Sequence, residues 1–171
     1  MTTIEITGID GNELTRVLDD GVDHGGNVIE PFIDPDGRWP LRCCLRDSRA
    51  GDTIAVIAWS PFPWRGAYAE VGPIVVHAGR CPGTPGGEGL SEAHDRRPMT
   101  LRPYGFDRRI AYAKVRSVPA GASVTSHLHD LLDDPDVDFV HGRNTTGGCF
   151  SFQATRSTPP GPAGETGSSD R

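Results

Sequence analysis

Lysine is nearly absent from this chain of 171 residues: Lys114 is the only one, and all other basic residues are arginines. Acidic residues outnumber basic residues by 23 to 17, which gives a formal net charge of −6 at pH 7. Nucleic-acid phosphates and anionic membrane surfaces repel a protein with this charge. We therefore expect no nucleic-acid partner and no membrane partner.

Long hydrophobic runs are missing as well. The longest apolar stretches, 54–59 and 74–76, have the length of strands and fall short of the roughly 18 residues of a membrane span. The first residues lack the basic stretch and apolar run of a signal peptide, so we expect a cytoplasmic protein. In a reducing compartment its four cysteines are free thiols or metal ligands rather than disulfides.

Recognised cofactor motifs are absent too. The chain has no C-x-x-C pair, no glycine-rich nucleotide fingerprint, no P-loop and no serine in a nucleophile elbow. We therefore expect no cofactor. An enzyme built on this sequence would depend on cysteine, histidine and arginine side chains.

The remaining pattern predicts one α+β domain over residues 1–156, built on a mainly antiparallel β-sheet with one or two helices. Residues 123–133 form the clearest helix, because apolar side chains recur on one face, Ser123 can cap its start and Pro135 ends it. A brief helix is predicted over 12–19. The predicted strands are 3–7, 28–33, 39–46, 53–59, 68–77, 109–115, 137–141 and 149–155.

Two segments lack the apolar residues of a packed element. Residues 82–97, which begin with a run rich in glycine and proline, predict a flexible loop that is a lid, a binding loop or a tolerated insertion. Residues 157–171 contain no large apolar side chain, so their burial cannot offset the entropy lost on ordering. They predict a disordered tail.

The adjacent Cys43 and Cys44 are the most informative candidates. In a strand over 39–46, side-chain alternation buries Cys43 and turns Cys44 towards the face that carries Arg42 and Arg46. Neighbouring guanidinium groups favour the thiolate, which is the nucleophilic form of a cysteine. Cys44 is therefore our candidate nucleophile; the alternative is that both cysteines are small buried hydrophobic residues.

His77 and Cys81 stand at the end of a predicted strand, where functional side chains are common. They could provide half of a zinc site, or a base and a nucleophile. Their spacing matches no recognised metal signature, so the sequence by itself predicts no metal. If a metal is bound, His77 and Cys81 are its expected ligands.

His141 and Cys149 belong to two predicted strands that pair across a glycine-containing turn. His141 faces the core at the end of its strand, as a proton-transfer group or as a structural histidine. The N–H groups of Gly147 and Gly148 could bind an anion, or the two glycines could serve only the turn.

Basic residues are concentrated between 96 and 116, where seven of them accompany a single acid, Asp107, and three aromatic residues. Such a run can bind single-stranded nucleic acid, can recognise a carboxylate or phosphate through bidentate arginine, or can be a solvated surface. The acidity of the whole chain favours a small anion over a polymer, with Arg109 as a candidate ligand.

Four segments resemble a bacterial family known as domain of unknown function 1203, in the same order and at similar spacing. The segments are Pro40–Arg46, Ala67–Ile74 followed by His77 and Cys81, Arg109–Tyr112, and Gly148–Phe150. The resemblance covers about residues 3 to 156. It implies a single-domain bacterial protein and assigns no activity and no catalytic residue.

Our leading hypothesis is a cofactor-independent enzyme that acts on a small anionic molecule. One alternative is a non-catalytic binding module with an arginine-rich face, and another is a zinc-stabilised domain that uses His77, Cys81 and a further thiol. In the leading hypothesis the nucleophile is Cys44 or Cys149, the proton-transfer partner is His77 or His141, and the anion is held by Arg42, Arg46 and either Arg109 or Arg143.

Overall fold

The computed structural model describes residues 2–84 and 90–157. Within these residues the chain forms two antiparallel sheets and three α-helices, which confirms the predicted α+β class. In chain order the elements are β1 (Ile4–Thr7), α1 (Gly11–Asp20), β2 (Phe32–Ile33), β3 (Thr53–Trp59), β4 (Gly72–His77), α2 (Glu92–Asp95), β5 (Met99–Gly105), a 3₁₀ turn (Tyr112–Lys114), β6 (Arg116–Val118), α3 (Val124–Leu132), β7 (Val137–Asn144) and β8 (Phe150–Arg156).

The larger sheet has the strand order β1-β8-β7-β5-β6, and each neighbouring pair is antiparallel. Strands β7 and β8 form the predicted hairpin. Gly142 of β7 lies opposite Phe152 of β8, and a Cβ atom at Gly142 would overlap the Phe152 ring. The glycine therefore makes room for a fully buried aromatic ring at the centre of this sheet.

Helix α3 covers one face of the larger sheet. Its buried side chains, which include Leu128 and Leu132, pack in one core with residues of β1, β5, β7 and β8. The Ser123 hydroxyl accepts a hydrogen bond from the Ser126 N–H at 3.3 Å and caps the helix, as the sequence predicts. Apolar periodicity and a capping serine thus position this helix.

The smaller sheet, β2-β3-β4, holds the residues of interest at one end. Ile54 at the start of β3 pairs with His77 at the end of β4, and Asp52 precedes β3 directly. A parallel bridge between Leu41 and Val75 attaches the segment with the two adjacent cysteines to β4. That segment and the start of β3 therefore lie beside the last residue of β4.

Residues 39–46 are predicted as a strand, but only Pro40 and Leu41 form isolated bridges and residues 42–46 form a turn. Leu41 N–H donates to the Arg46 carbonyl at 2.8 Å, and Leu45 has a φ of 55°. A left-handed residue ends any extended run, and the cost of this conformation at leucine is offset by complete burial of its side chain. The side-chain alternation on which the interpretation of Cys44 depended is therefore wrong.

Strand β5 is absent from the sequence prediction, which has a loop to Arg97 and an extended segment over 109–115, where the structure has a 3₁₀ turn. Pro103 lies within this strand and argues against one, since proline removes a ladder donor. Pro103 lies opposite Val140 of β7, beyond the end of the pairing with β6. Proline has no backbone N–H to donate, and β6 does not extend to Pro103, so the sheet loses no hydrogen bond to β6 there.

The predicted loop 82–97 includes helix α2 and residues 85–89, which lie outside the described residues, as do residues 158–171 of the predicted tail. No helix in the described part of the chain is long and apolar enough to cross a membrane. The extent of the domain, the flexibility of the loop and the disorder of the tail stay predictions.

Candidate metal centre

The turn that replaces the predicted strand buries both adjacent cysteines. Cys43 is 2% exposed and Cys44 is 1% exposed. The turn directs both sulfur atoms towards the same neighbour, the imidazole of His77. A regular strand would have sent the two side chains to opposite faces of a sheet.

His77 contacts both sulfurs. Its Nδ1 atom lies 3.5 Å from Cys43 Sγ and 3.8 Å from Cys44 Sγ. The His77 backbone N–H also donates to Cys43 Sγ at 3.4 Å. Strand β4 thus ends with its last side chain and its last amide both at the cysteine turn.

Cys81 is the fourth residue of the cluster. It follows His77 by four residues, and its sulfur lies near the imidazole and the other two sulfur atoms. The three sulfur atoms and one imidazole nitrogen all lie within 4.8 Å of one another. Ligand atoms around a tetrahedral zinc ion are about 3.5 to 3.8 Å apart, given bond lengths of about 2.0 Å to nitrogen and 2.3 Å to sulfur. The cluster is therefore close to the dimensions of a Cys₃His site, and shortening its longest pairs by about 1 Å would close it.

The other nitrogen of the imidazole faces a carboxylate. Asp52 Oδ2 lies 3.5 Å from His77 Nε2 and also accepts the Arg49 N–H at 2.8 Å. A carboxylate behind a histidine keeps the proton on the far nitrogen and leaves the near nitrogen free to bind a metal. This arrangement turns the Nδ1 lone pair towards the sulfur atoms.

The thiols share hydrogen bonds that make them unequal acids. The pKa of Cys44 is lowered, chiefly because Cys43 donates a hydrogen bond to its sulfur and secondarily because Cys81 does. The pKa of Cys43 is raised, first by its hydrogen bond with Cys44. Of the three thiols, Cys44 is therefore the one whose thiolate form its neighbours favour, and the thiolate is the form that binds a metal or attacks an electrophile.

A cleft with a volume of about 360 Å³ opens beside Cys44 and His77. Its wall carries Arg46, so the cysteine does adjoin a predicted arginine, although the turn rather than strand alternation brings them together. Arg42 is on no wall of this cleft. Its buried guanidinium donates to the carbonyls of Phe150 and Pro40, and burial lowers its pKa.

The remaining predicted site residues lie elsewhere. His141 is sealed among aromatic rings, with Nε2 3.2 Å from Gln153 Oε1, and burial lowers its pKa to about 3. Arg143 is paired with Glu70 and donates to the Gly148 carbonyl. Cys149 is partly exposed and does not belong to the thiol cluster.

Two expected anion-binding features are used internally. The N–H groups of Gly147 and Gly148 donate to Asn144, so they are not free for an anion. Arg109 is exposed and lies 3.8 Å from Asp107. Most other basic residues of the 96–116 run also meet a carboxylate, as in the pairs Arg96–Glu92, Arg97–Asp47, Arg102–Glu70, Lys114–Asp134 and Arg116–Asp130.

The sequence predicts functional roles for Cys44, His77, Cys81 and Arg46, places Cys43 in the core and gives no signal for Asp52. Adjacent cysteines and a histidine four residues before another cysteine are the signal that was available. The sequence does not predict the turn at Leu45, and this turn is what brings both sulfur atoms next to His77.

The fold and this cluster define a class: a single compact α+β unit with three cysteines and a histidine gathered at the end of its smaller sheet. The chain belongs to the family described as "Protein of unknown function (DUF1203)", whose model matches residues 38–156. No curated protein and no solved structure matches the chain significantly. The matched residues include the whole cluster, whereas β1, α1 and β2 precede them.

Proposed function

We propose that this chain is a metal-binding protein in which Cys43, Cys44, His77 and Cys81 hold one zinc ion. The observation that carries the proposal is the mutual approach of four ligand atoms within 4.8 Å. Two separate stretches of the chain supply them: the turn with the adjacent cysteines, and the end of β4 with the segment directly after it. A bound ion would tie these stretches together.

The donor set selects the metal. Thiolates and imidazole favour zinc, which takes four such ligands in a tetrahedron. Calcium and magnesium require oxygen ligands, and the cluster supplies none. Four protein ligands leave no open position, so this centre would stabilise the fold and would not activate water. Asp52, behind His77, would orient the imidazole.

Metal content measured on purified protein tests the proposal. Protein expressed with zinc and purified without chelators should contain about one zinc per chain. Cys81→Ser should lose most of it, because three ligands bind far more weakly than four. Cys149→Ser is the matched control, since it removes a thiol outside the cluster. Sub-stoichiometric zinc in the wild type, or equal zinc in both variants, would refute the centre.

A second candidate function uses the same residues without a metal. Cys44 has a lowered pKa, His77 lies 3.8 Å away and Asp52 faces the far side of the imidazole. A nucleophile, a base and an orienting carboxylate in this order form the arrangement of thiol enzymes. The chain would then be a cofactor-independent enzyme with Cys44 as nucleophile and His77 as proton carrier.

Alkylation rates separate the two candidates. In metal-free, reduced protein the enzyme hypothesis predicts that iodoacetamide modifies Cys44 at neutral pH much faster than Cys43, as read by peptide mass spectrometry. His77→Gln should slow the modification. If Cys44 reacts no faster than Cys43, the enzyme hypothesis fails and the metal proposal is unaffected.

A further inference from the structure

The cleft beside the cluster is lined by three arginines, Arg46, Arg49 and Arg80, as well as by Cys44 and His77. Among the described residues, no acceptor lies within hydrogen-bonding or ion-pairing distance of any of these three guanidinium groups. All three residues are exposed, and they already line the cleft, so their guanidinium groups are available to a ligand there.

The carboxylates of the same cleft are already engaged. Arg97 binds Asp47 in a bidentate pair at 2.8 Å to each oxygen. Asp52 faces His77 and accepts the Arg49 backbone N–H. The acids therefore leave the three guanidinium groups uncompensated, in a protein whose formal net charge is −6.

From this geometry we infer that the cleft binds a small oxyanion, a molecule with a phosphate or carboxylate group, against the face of the metal centre. Guanidinium groups match both anions through paired N–H donors. Three thiolates around one zinc ion carry a single net negative charge. The three arginine charges exceed that charge and the charge of Asp52 together, so the cleft remains positive with the metal bound.

This inference deepens the proposed metal centre and rests on it for one wall of the cleft. The inferred anion site contains Arg46, Arg49 and Arg80. Arg42, which the sequence pattern groups with Arg46, is not part of it, because its guanidinium donates to backbone carbonyls. Binding of this kind needs no catalytic step, so it suits a ligand-sensing module as well as an enzyme.

Calorimetric titration of zinc-loaded protein with inorganic phosphate, and separately with malonate, tests the inference. At least one anion should bind, and the one that binds more tightly identifies the ligand chemistry. Arg46→Gln and Arg80→Gln should each weaken that binding about tenfold, and the triple variant with Arg49→Gln should abolish it. Arg16→Gln is the matched control, because Arg16 is an exposed arginine of α1 outside the cleft, and it should bind like the wild type.

Two results would overturn the inference: neither anion binds the wild type at millimolar concentration, or the triple variant binds as tightly as Arg16→Gln. Zinc content is measured on the same samples, which keeps the two proposals apart. If the protein holds no zinc, the titrations are repeated on metal-free, reduced protein. In that case the metal centre is refuted, and the comparison of the triple arginine variant with Arg16→Gln still tests whether the cleft binds an anion.

Discussion

At the scale of single residues, Asp52 is the side chain whose role is easiest to isolate. It faces His77 Nε2 at 3.5 Å and is not one of the four residues of the cluster. Asp52→Asn removes the charge that orients and polarises the imidazole, so we expect zinc affinity to fall about 10-fold to 100-fold. Competition with a chromophoric chelator measures this change.

Asp47→Asn is the control for Asp52, because Asp47 lines the same cleft but pairs with Arg97. It should leave zinc affinity within about a factor of two of the wild-type value. An Asp52→Asn protein that binds zinc as tightly as Asp47→Asn would show that the carboxylate does not support the histidine.

His141 gives a second residue-level prediction, which concerns pH. Burial lowers the pKa of its imidazole to about 3, below the ordinary value of 6.5. The unfolded chain therefore takes up a proton below about pH 6.5 while the folded chain does not. Stability from neutral His141 is complete above that pH and is lost as the pH falls towards 3, by up to about 1.4 kcal/mol per unit.

Urea denaturation at pH 7 and at pH 5 measures this loss. His141→Phe, in a pocket already formed by aromatic rings, should lose less stability over the interval than the wild type does. An imidazole that NMR shows to be protonated at pH 5 in the folded protein would contradict the account.

At the scale of elements, strand β7 depends on Gly142. A methyl group there would meet the Phe152 ring, which is fully buried and cannot move outwards. Gly142→Ala should therefore cost about 1 to 3 kcal/mol of unfolding free energy, as overpacking usually does. Thermal or urea denaturation measures the cost, and the second change Phe152→Leu should recover part of it.

Gly72→Ala in β4 is the matched substitution, since a Cβ atom there meets nothing within 4 Å and the backbone has no positive φ. It should change stability by less than about 0.5 kcal/mol. Equal effects of the two substitutions would mean that the Phe152 ring is not held against Gly142.

Elements with a clear local pattern were predictable from the sequence. Strand β3 was predicted with its observed bounds, Thr53–Trp59, because a run of apolar residues bounded by polar ones fits a buried strand. Helix α3 followed from its apolar face and its capping serine. Strand β5 was hidden by Pro103, which local rules exclude from a strand unless the neighbouring strand is known to end before it.

The candidate site could be predicted only in part, because the sequence does not predict the turn that carries two of its cysteines. His77 ends a strand with a clear apolar pattern and Cys81 follows that strand closely, so the sequence identifies both residues. The turn at Cys43 and Cys44 depends on Leu45 in a left-handed conformation, which a leucine adopts only when tertiary packing holds it there. No local sequence pattern indicates that packing, so the sequence predicts a strand where the structure has a turn.

At the scale of the whole molecule, the folded unit begins earlier in the chain than the residues matched by the family model. The match begins at residue 38, yet β1 is paired with β8 along its full length. Ile4 and Ile6 of β1 are buried in the core under α3. We therefore expect a fragment of residues 38–156 to lack a cooperative unfolding transition, because it would expose the edge of β8 and part of that core.

Near-UV circular dichroism and urea denaturation of the fragment check this expectation. The single substitution Ile6→Ala in the full chain is a milder version and should cost about 2 to 5 kcal/mol. A fragment that unfolds cooperatively at the wild-type midpoint would show that the residues before the match are an addition to an independent fold.

The central claim, that three sulfur atoms and one imidazole nitrogen surround a single zinc ion, is tested most directly by zinc X-ray absorption of the purified 171-residue chain. The account predicts about three sulfur neighbours near 2.3 Å and one nitrogen near 2.0 Å. In Cys81→Ser reconstituted with added zinc, one sulfur neighbour should disappear, whereas Cys149→Ser should keep all three. A shell of oxygen and nitrogen alone, or a protein that carries no zinc, would contradict it.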